Sequence, residues 1–326
     1  MIIVLVKNVN ARKMVKKMNK GLTITLITLL TILLFGVIGF MIFVMNGKLD
    51  LSNIKIGFSG QSETLIDSKE ITSIKDININ SDVADIYVED TESSTIKVEL
   101  YSDDASEYSI TDENDQIKIV LKEKRTVKMF KKNAVIRVYA PKSFNKDFII
   151  NGRTGDIEIA SYENSNIKAE LTTGDIELAD INNVDIKLTT GDITIGNAKE
   201  TKLESTTGDI EINSATTLAI STRTGDVKVG EVDDVKIKLT TGDIEINTIN
   251  NKLDLTSTTG DIDIDNATVK ENSSIESGTG DVNVKSAKGC YIDANAKIGD
   301  TKVNNNDRKS DILLTITSKI GDIKVN

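Results

Sequence analysis

The sequence predicts an all-β parallel solenoid of about ten coils, and three observations carry that expectation. First, the phrase Thr-Gly-Asp-Ile/Val, or a close variant, recurs to the end of the chain, with its glycine at 155, 174, 191, 208, 225, 242, 260, 280, 299 and 321. Spacings of 17 to 22 residues are those of stacked repeats rather than of a globular core. Second, apolar or small residues stand seven, five, three and one positions before each glycine and two, four and seven after it; around Gly242 these are Val235, Ile237, Leu239, Thr241, Ile244, Ile246 and Ile249. Period-two alternation means strands with one buried face, so Lys236, Lys238 and Glu245 face water. Third, one coil offers only about four large aliphatic side chains, too few to offset the ordering of its backbone. Coils must therefore stack, joined by strand hydrogen bonds about 4.8 Å apart.

The parity of the alternation slips three times per repeat: at Thr-Gly-Asp, before the residue at plus seven, and on entering the next repeat. The expected form is a three-sided, right-handed β-helix. Glycine suits the first corner because it accepts positive φ, and the Asp after it is expected to bond nearby amides in an Asx-type turn. Thr fills the position before the glycine in eight repeats and Ile298 and Ile320 fill it in the last two, which predicts a buried site.

In chain order, residues 1–20 carry Lys7, Arg12, Lys13, Lys16, Lys17 and Lys20 and no acid. Residues 21–45 then run without a charge, long enough to cross a hydrocarbon core as one helix. Basic residues stay inside, so the N-terminus is expected in the cytoplasm and the remainder outside the cell membrane. A cleaved signal peptide is the rival, disfavoured by the length of the apolar run and by the lack of a small-x-small cleavage site. No Cys follows the run to carry a lipid, and Met14 and Met18 are alternative starts. All 50 acidic residues lie beyond the membrane segment with 34 of the 40 basic ones, a formal −16 that makes nucleic acid an unsuitable partner.

Residues 46–65 read as a polar stalk and 66–150 as an irregular β cap or first coils, needed because an open solenoid end exposes unpaired strand edges. Ala84-Asp85-Ile86 reads as a degenerate copy of the repeat phrase. The regular solenoid is expected over 151–326, ending at Asn326 with no obvious cap. Longer spacers at 266–274 and 304–311 place loops outside the C-terminal coils.

With no His and one Cys, the usual bases, nucleophile pairs and zinc clusters are missing from the sequence. Carboxylates recur alike in every coil, whereas an active site would make one coil different; the chain is expected not to be an enzyme and to require no cofactor. Two weaker site expectations remain. Lys122, Lys124, Arg125, Lys128, Lys131 and Lys132, with Met129 and Phe130 as an apolar tip, form the one basic cluster beyond the membrane segment; it reads as a solvated hairpin or as a contact for anionic headgroups or wall polymers. Asp156, Asp175, Asp192, Asp209, Asp226, Asp243, Asp261 and Asp281 should stack in a row, as solvated turn caps or as a weak cation ladder. An ice-binding face needs outward Thr-x-Thr rows, and alternation puts Thr189 and Thr190 on opposite sides. Cys290 reads as an ordinary solenoid residue.

The Thr-Gly-Asp-Ile/Val phrases at 154–157, 173–176, 190–193, 207–210, 224–227, 241–244, 259–262 and 279–282, with Val138-Tyr139-Ala140-Pro141 and Asp85-Ile86 before them, resemble the bacterial putative-adhesin or β-strand-repeat domains of unknown function found in membrane-anchored cell-envelope proteins. The resemblance covers roughly residues 70–326. It implies a β-solenoid with surface or envelope-stress roles and transfers no catalytic residues. The expected function is a membrane-anchored, extracytoplasmic structural, adhesive or stress-sensing module with a protein or cell-wall partner. The alternative is a solenoid that binds divalent cations or anionic wall polymers and glycans.

Overall fold

The computed structural model describes residues 64–123, 133–304 and 306–326. The basic N-terminal segment, the apolar run at 21–45, most of the stalk, and Lys124, Arg125, Lys128, Met129, Phe130, Lys131 and Lys132 lie outside the described residues. Among the described residues no helix is long and apolar enough to cross a membrane. What is described is all β, a parallel solenoid of about ten turns around one aliphatic core.

In the middle of the molecule the repeat sets the register directly. Ile193–Thr207, Ile210–Thr224, Val227–Thr241 and Ile244–Thr259 stack in parallel, pairing Ile193 with Ile210, Ile210 with Val227 and Val227 with Ile244. One turn buries Ile210, Ile212, Ala215, Leu218, Ile220 and Thr222. Inward positions are therefore two residues apart along each side, and the parity slips between Ile212 and Ala215, between Ala215 and Leu218, and across the glycine.

Two details depart from expectation at that third corner. The position before the glycine is exposed in the repeat, Thr190, Thr207, Thr224 and Thr241 included, and Ile298 and Ile320 are 61% and 49% exposed. Alternation stops two residues before the glycine because the corner has already begun, so Thr189 and Thr190 both face solvent. The Asp, in turn, bonds across coils rather than within its own turn: Asp209 N–H donates to Asp192 Oδ1 at 2.7 Å and Asp226 N–H to Asp209 Oδ1 at 2.8 Å.

Glycine is obligatory there on two counts. Gly208 has φ +134°, and a Cβ on it would stand 1.8 Å from the carbonyl oxygen of Gly191 in the preceding coil. Neighbouring corners nest too closely for any side chain.

The two ends are built differently. Near the N-terminus run β1 (Leu65–Ile71), β2 (Asp76–Ser81), β3 (Ala84–Thr91), β4 (Ile96–Tyr101), β5 (Ala105–Asp112), β6 (Gln116–Glu123), β7 (Ala134–Pro141), β8 (Phe148–Asn151) and β9 (Ile157–Ile159). The first turn, β2 with β3, is not outermost: β2 lies between β6 and β8, and β3 between β7 and β9, all parallel. Asp85 opens the aspartate row by accepting the Asp156 N–H, as a degenerate copy of the phrase should. Antiparallel β5 covers β6, and antiparallel β4 pairs with β7 and β1. This end also holds a buried aromatic cluster, Phe144, Phe148 and Tyr162, with ring centroids 4.8 to 5.8 Å apart.

The C-terminal end repeats the device. The last turn, Leu313–Ile320 and Ile323–Val325, inserts between Ser273–Thr279/Val282–Val284 and Tyr291–Ala296/Thr301–Val303. The coil of Gly299 is thus outermost and the chain terminus is internal, so the end is not left bare at Asn326 as the sequence implied. Side chains blunt its free edge. Asn306 takes the Ile292 N–H at 2.8 Å and donates to the Ile292 carbonyl at 2.9 Å, and Thr301 Oγ1 accepts the Ala296 N–H. These bonds satisfy groups that an edge strand would otherwise offer to another chain.

Candidate functional site

Three surfaces run along the solenoid. The first is the Thr-Gly-Asp corner. From Asp85 through Asp281 to Asp322, each carboxylate accepts the amide of the Asp in the adjoining coil, the last being the Asp300 N–H, at 2.7 to 3.2 Å. Of the eight aspartates expected to form a row, all are on it. Their Oδ1 atoms are occupied by backbone N–H donors, and among the described residues no three His, Cys, Asp or Glu side chains gather to hold a metal ion. Asn133 Nδ2 donates to Asp85 Oδ1 at the first rung.

The second surface is a groove of about 930 Å³ on the side that follows the corner. Its walls carry Glu158, Glu177, Glu211 and Glu245 with Lys228, and its floor is made by Ala160, Ala179, Gly196 and Gly230. At its N-terminal end Arg137 lies 4.8 Å over the Tyr87 ring and 2.7 Å from Glu89.

A third surface, the long side leading into the corner, carries a groove of about 900 Å³. Arg153, Lys187, Lys202, Lys236 and Lys238 line it against Asp82, Glu170 and Glu204, with Thr172, Thr189, Thr206 and Ser221 between. Glu204 sits 3.1 Å from Lys202 and 3.8 Å from Lys187. The Lys202 hydrogen bond first, then the Lys187 charge, hold its carboxyl below the usual range. Sequence analysis read the outward lysines as solvated and missed this surface. The signal lay in the positions two, four and six before each glycine, which become neighbours only once the coils are stacked.

Of the predicted basic cluster, Lys122 alone is described; it pairs with Glu107 at 3.0 Å. Cys290 is buried, and burial pushes its thiol up to about 11, which keeps it protonated and unreactive. Near the N-terminal end Glu99 accepts Lys97 Nζ at 2.6 Å and the Tyr101 hydroxyl at 2.7 Å. The lysine holds the carboxyl below its usual range, and the carboxylate pushes the Tyr101 phenol up to about 12. Lys97, Glu99 and Tyr101 all lie on β4, so these contacts run along one strand; the bond that crosses to β7 comes from the Tyr139 hydroxyl, 3.5 Å from Glu99.

A family model matches this architecture over residues 74–251 and 215–326, that of Toastrack DUF4097. The chain belongs to the Toastrack DUF4097 family. Solved structures similar to this Toastrack chain include a putative adhesin from Parabacteroides merdae, 18% identical, covering 69% of this chain and 98% of the other at a TM-score of 0.44. A putative lipid binding protein from Parabacteroides distasonis is 13% identical over 81% and 99% of the two chains, at 0.33. A putative adhesin from Bacteroides fragilis is 16% identical over 83% and 100%, at 0.28. No curated protein matches the chain.

Proposed function

We propose that this Toastrack chain is a single-pass membrane protein whose solenoid stands outside the cell as a non-catalytic binding or structural module. The observation that carries the reading is the continuity of the surface: the same corner runs from Asp85 to Asp322, and the two grooves extend over successive coils rather than gathering at one. Such a surface suits an extended partner lying along the axis, whereas catalysis concentrates unlike groups at one place. Anchoring rests on the charge-free run at 21–45 behind six basic residues. In this reading the coil is three-sided, as the three parity slips imply, and right-handed, as parallel crossovers almost always are.

Protease added to intact, wall-stripped cells tests the orientation. Removal of the solenoid with the N-terminus protected is expected. A solenoid that survives on intact cells and is digested only after lysis overturns it.

A further inference from the structure

We infer that the long side of the six coils from Gly155 to Gly242 is a binding track for a linear, phosphate-bearing polyanion. This goes beyond the membrane-display reading and does not depend on it. On that side the outward positions lie two, four and six residues before each glycine, and every one of the six coils places a cation there: Arg153, Lys168, Lys187, Lys202, Arg223, and the pair Lys236 and Lys238. Against these seven stand three carboxylates in the same positions, Glu170, Asp185 and Glu204. The remainder of the chain beyond the membrane segment is strongly acidic, so the track is basic in spite of its surroundings.

Stacking sets these charges one coil apart, about 4.8 Å along the axis, with offsets across the side. Lys187 and Lys202 share Glu204. Arg153, Lys168, Arg223, Lys236 and Lys238 have no ion-pair partner among the described residues. Five of the seven cations therefore keep their charge unpaired, and between them rows of Thr and Ser hydroxyls offer donors to phosphate oxygens.

Shape and composition select the partner class. The track includes a groove of about 900 Å³, concave and axial, which fits one extended chain; a flat membrane would touch its rims. Among the described residues no aromatic side chain lines the groove. Single-stranded nucleic acids and glycans draw much of their affinity from stacking on aromatic rings, so the favoured ligand is a flexible chain recognised by its charge.

The test uses the full chain in phosphatidylcholine nanodiscs, titrated with long-chain inorganic polyphosphate at several salt concentrations. Binding that weakens steeply with salt is expected, by a slope of about 0.7 to 0.9 per contact on a log–log plot. The variant Arg153→Glu/Lys236→Glu/Lys238→Glu should bind at least about tenfold more weakly with a shallower slope. Lys228→Glu, on the opposite groove, should bind as the parent does. Equal thermal melts for the parent and both variants establish that the fold is kept; should the triple variant melt early, Lys238→Glu alone is expected to lower the slope by about one contact. Absence of polyphosphate binding overturns the proposal. So does binding that pyrophosphate abolishes at equal phosphate concentration, since that describes isolated ion sites. Capture of phosphatidylglycerol vesicles without capture of polyphosphate also overturns it in favour of a lipid surface.

Discussion

The middle of the solenoid and its two ends are made from the same repeat and stabilised in different ways. Between Gly174 and Gly242 the order of coils in space is their order in the chain, at a uniform 17-residue spacing. At both ends the order is broken. The β2–β3 turn lies inside β6–β7, and the last turn lies inside the coil of Gly299. An open stack leaves its terminal core exposed; threading a terminal segment inward makes the closing turns interdependent. The middle is extensible, whereas the ends are closures.

The largest test of this contrast compares two deletions of nearly equal size. Removing residues 192–208 joins Gly191 to Asp209 in register and should yield a folded, shorter solenoid. Removing residues 311–326 takes Leu314, Ile316, Ile323 and Val325, all buried, from between two coils, and parts Tyr291–Ala296 from Leu313–Ile320, its one strand partner among the described residues. Loss of the C-terminal coils to limited proteolysis, with aggregation, is expected. If both truncations behave as simple shortening, the ends are no different from the middle.

This contrast also marks how far the sequence could be read. Register in the middle is local information, because each glycine has its partner one period away. The insertion of Leu313–Ile320 beside Ser273–Thr279 is a pairing between residues 41 apart in sequence, as for Ile275 and Ile316, and no spacing announces it. The exposure of Thr190 was misjudged for a related reason: alternation was extended into a corner whose geometry depends on the coil beneath. The cation track escaped notice because Lys187 and Lys202 belong to different positions of the repeat and meet only across coils.

The next effect in size concerns glycine. Gly208→Ala combines an unfavourable φ with a close approach to Gly191 O on one side and a stacked coil on the other; together these should cost about 2 to 6 kcal/mol. Gly299 has nearly the same φ, but among the described residues no coil lies beyond it. Its coil can move outward to relieve the contact, leaving about 1 to 3 kcal/mol of backbone strain. Denaturant unfolding of the two variants tests the difference, and equal losses would show the end coil to be as confined as the middle.

A smaller effect is expected along the aspartates. Asp209→Ala removes the acceptor for the Asp226 N–H and should cost about 0.5 to 1.5 kcal/mol. Asp300 is the last rung; it donates to Asp322 Oδ1, and its own carboxylate accepts no amide from a further coil. Asp300→Ala should therefore leave stability within about 0.5 kcal/mol of the parent. Thermal melting with millimolar calcium, magnesium or chelator at matched ionic strength should give one melting temperature, since the Oδ1 atoms are committed to backbone donors. A rise specific to calcium would restore the cation ladder.

The smallest expected effect is a difference in acid response. Glu99 bonds Lys97 and Tyr101 along β4 and accepts the Tyr139 hydroxyl of β7 at 3.5 Å, and its side chain is only 12% exposed. Its carboxyl is held below the usual carboxylate range, by the Lys97 hydrogen bond above all. A carboxylate with a depressed folded pKa contributes stability above its unfolded value and loses that contribution as pH falls through the folded one. Glu204 in the middle is depressed in the same direction by Lys202 and Lys187, but its side chain is 45% exposed, so solvent and salt screen the pair. At physiological ionic strength, lowering the pH below about 4 should therefore speed amide exchange in β4 before it does so around Leu203. Glu99→Gln should remove that pH dependence from β4, while Glu204→Gln should leave the middle coils unchanged. Simultaneous loss of protection in both regions would mean that the end closure and the middle open as one cooperative unit, and that threading the termini has coupled them.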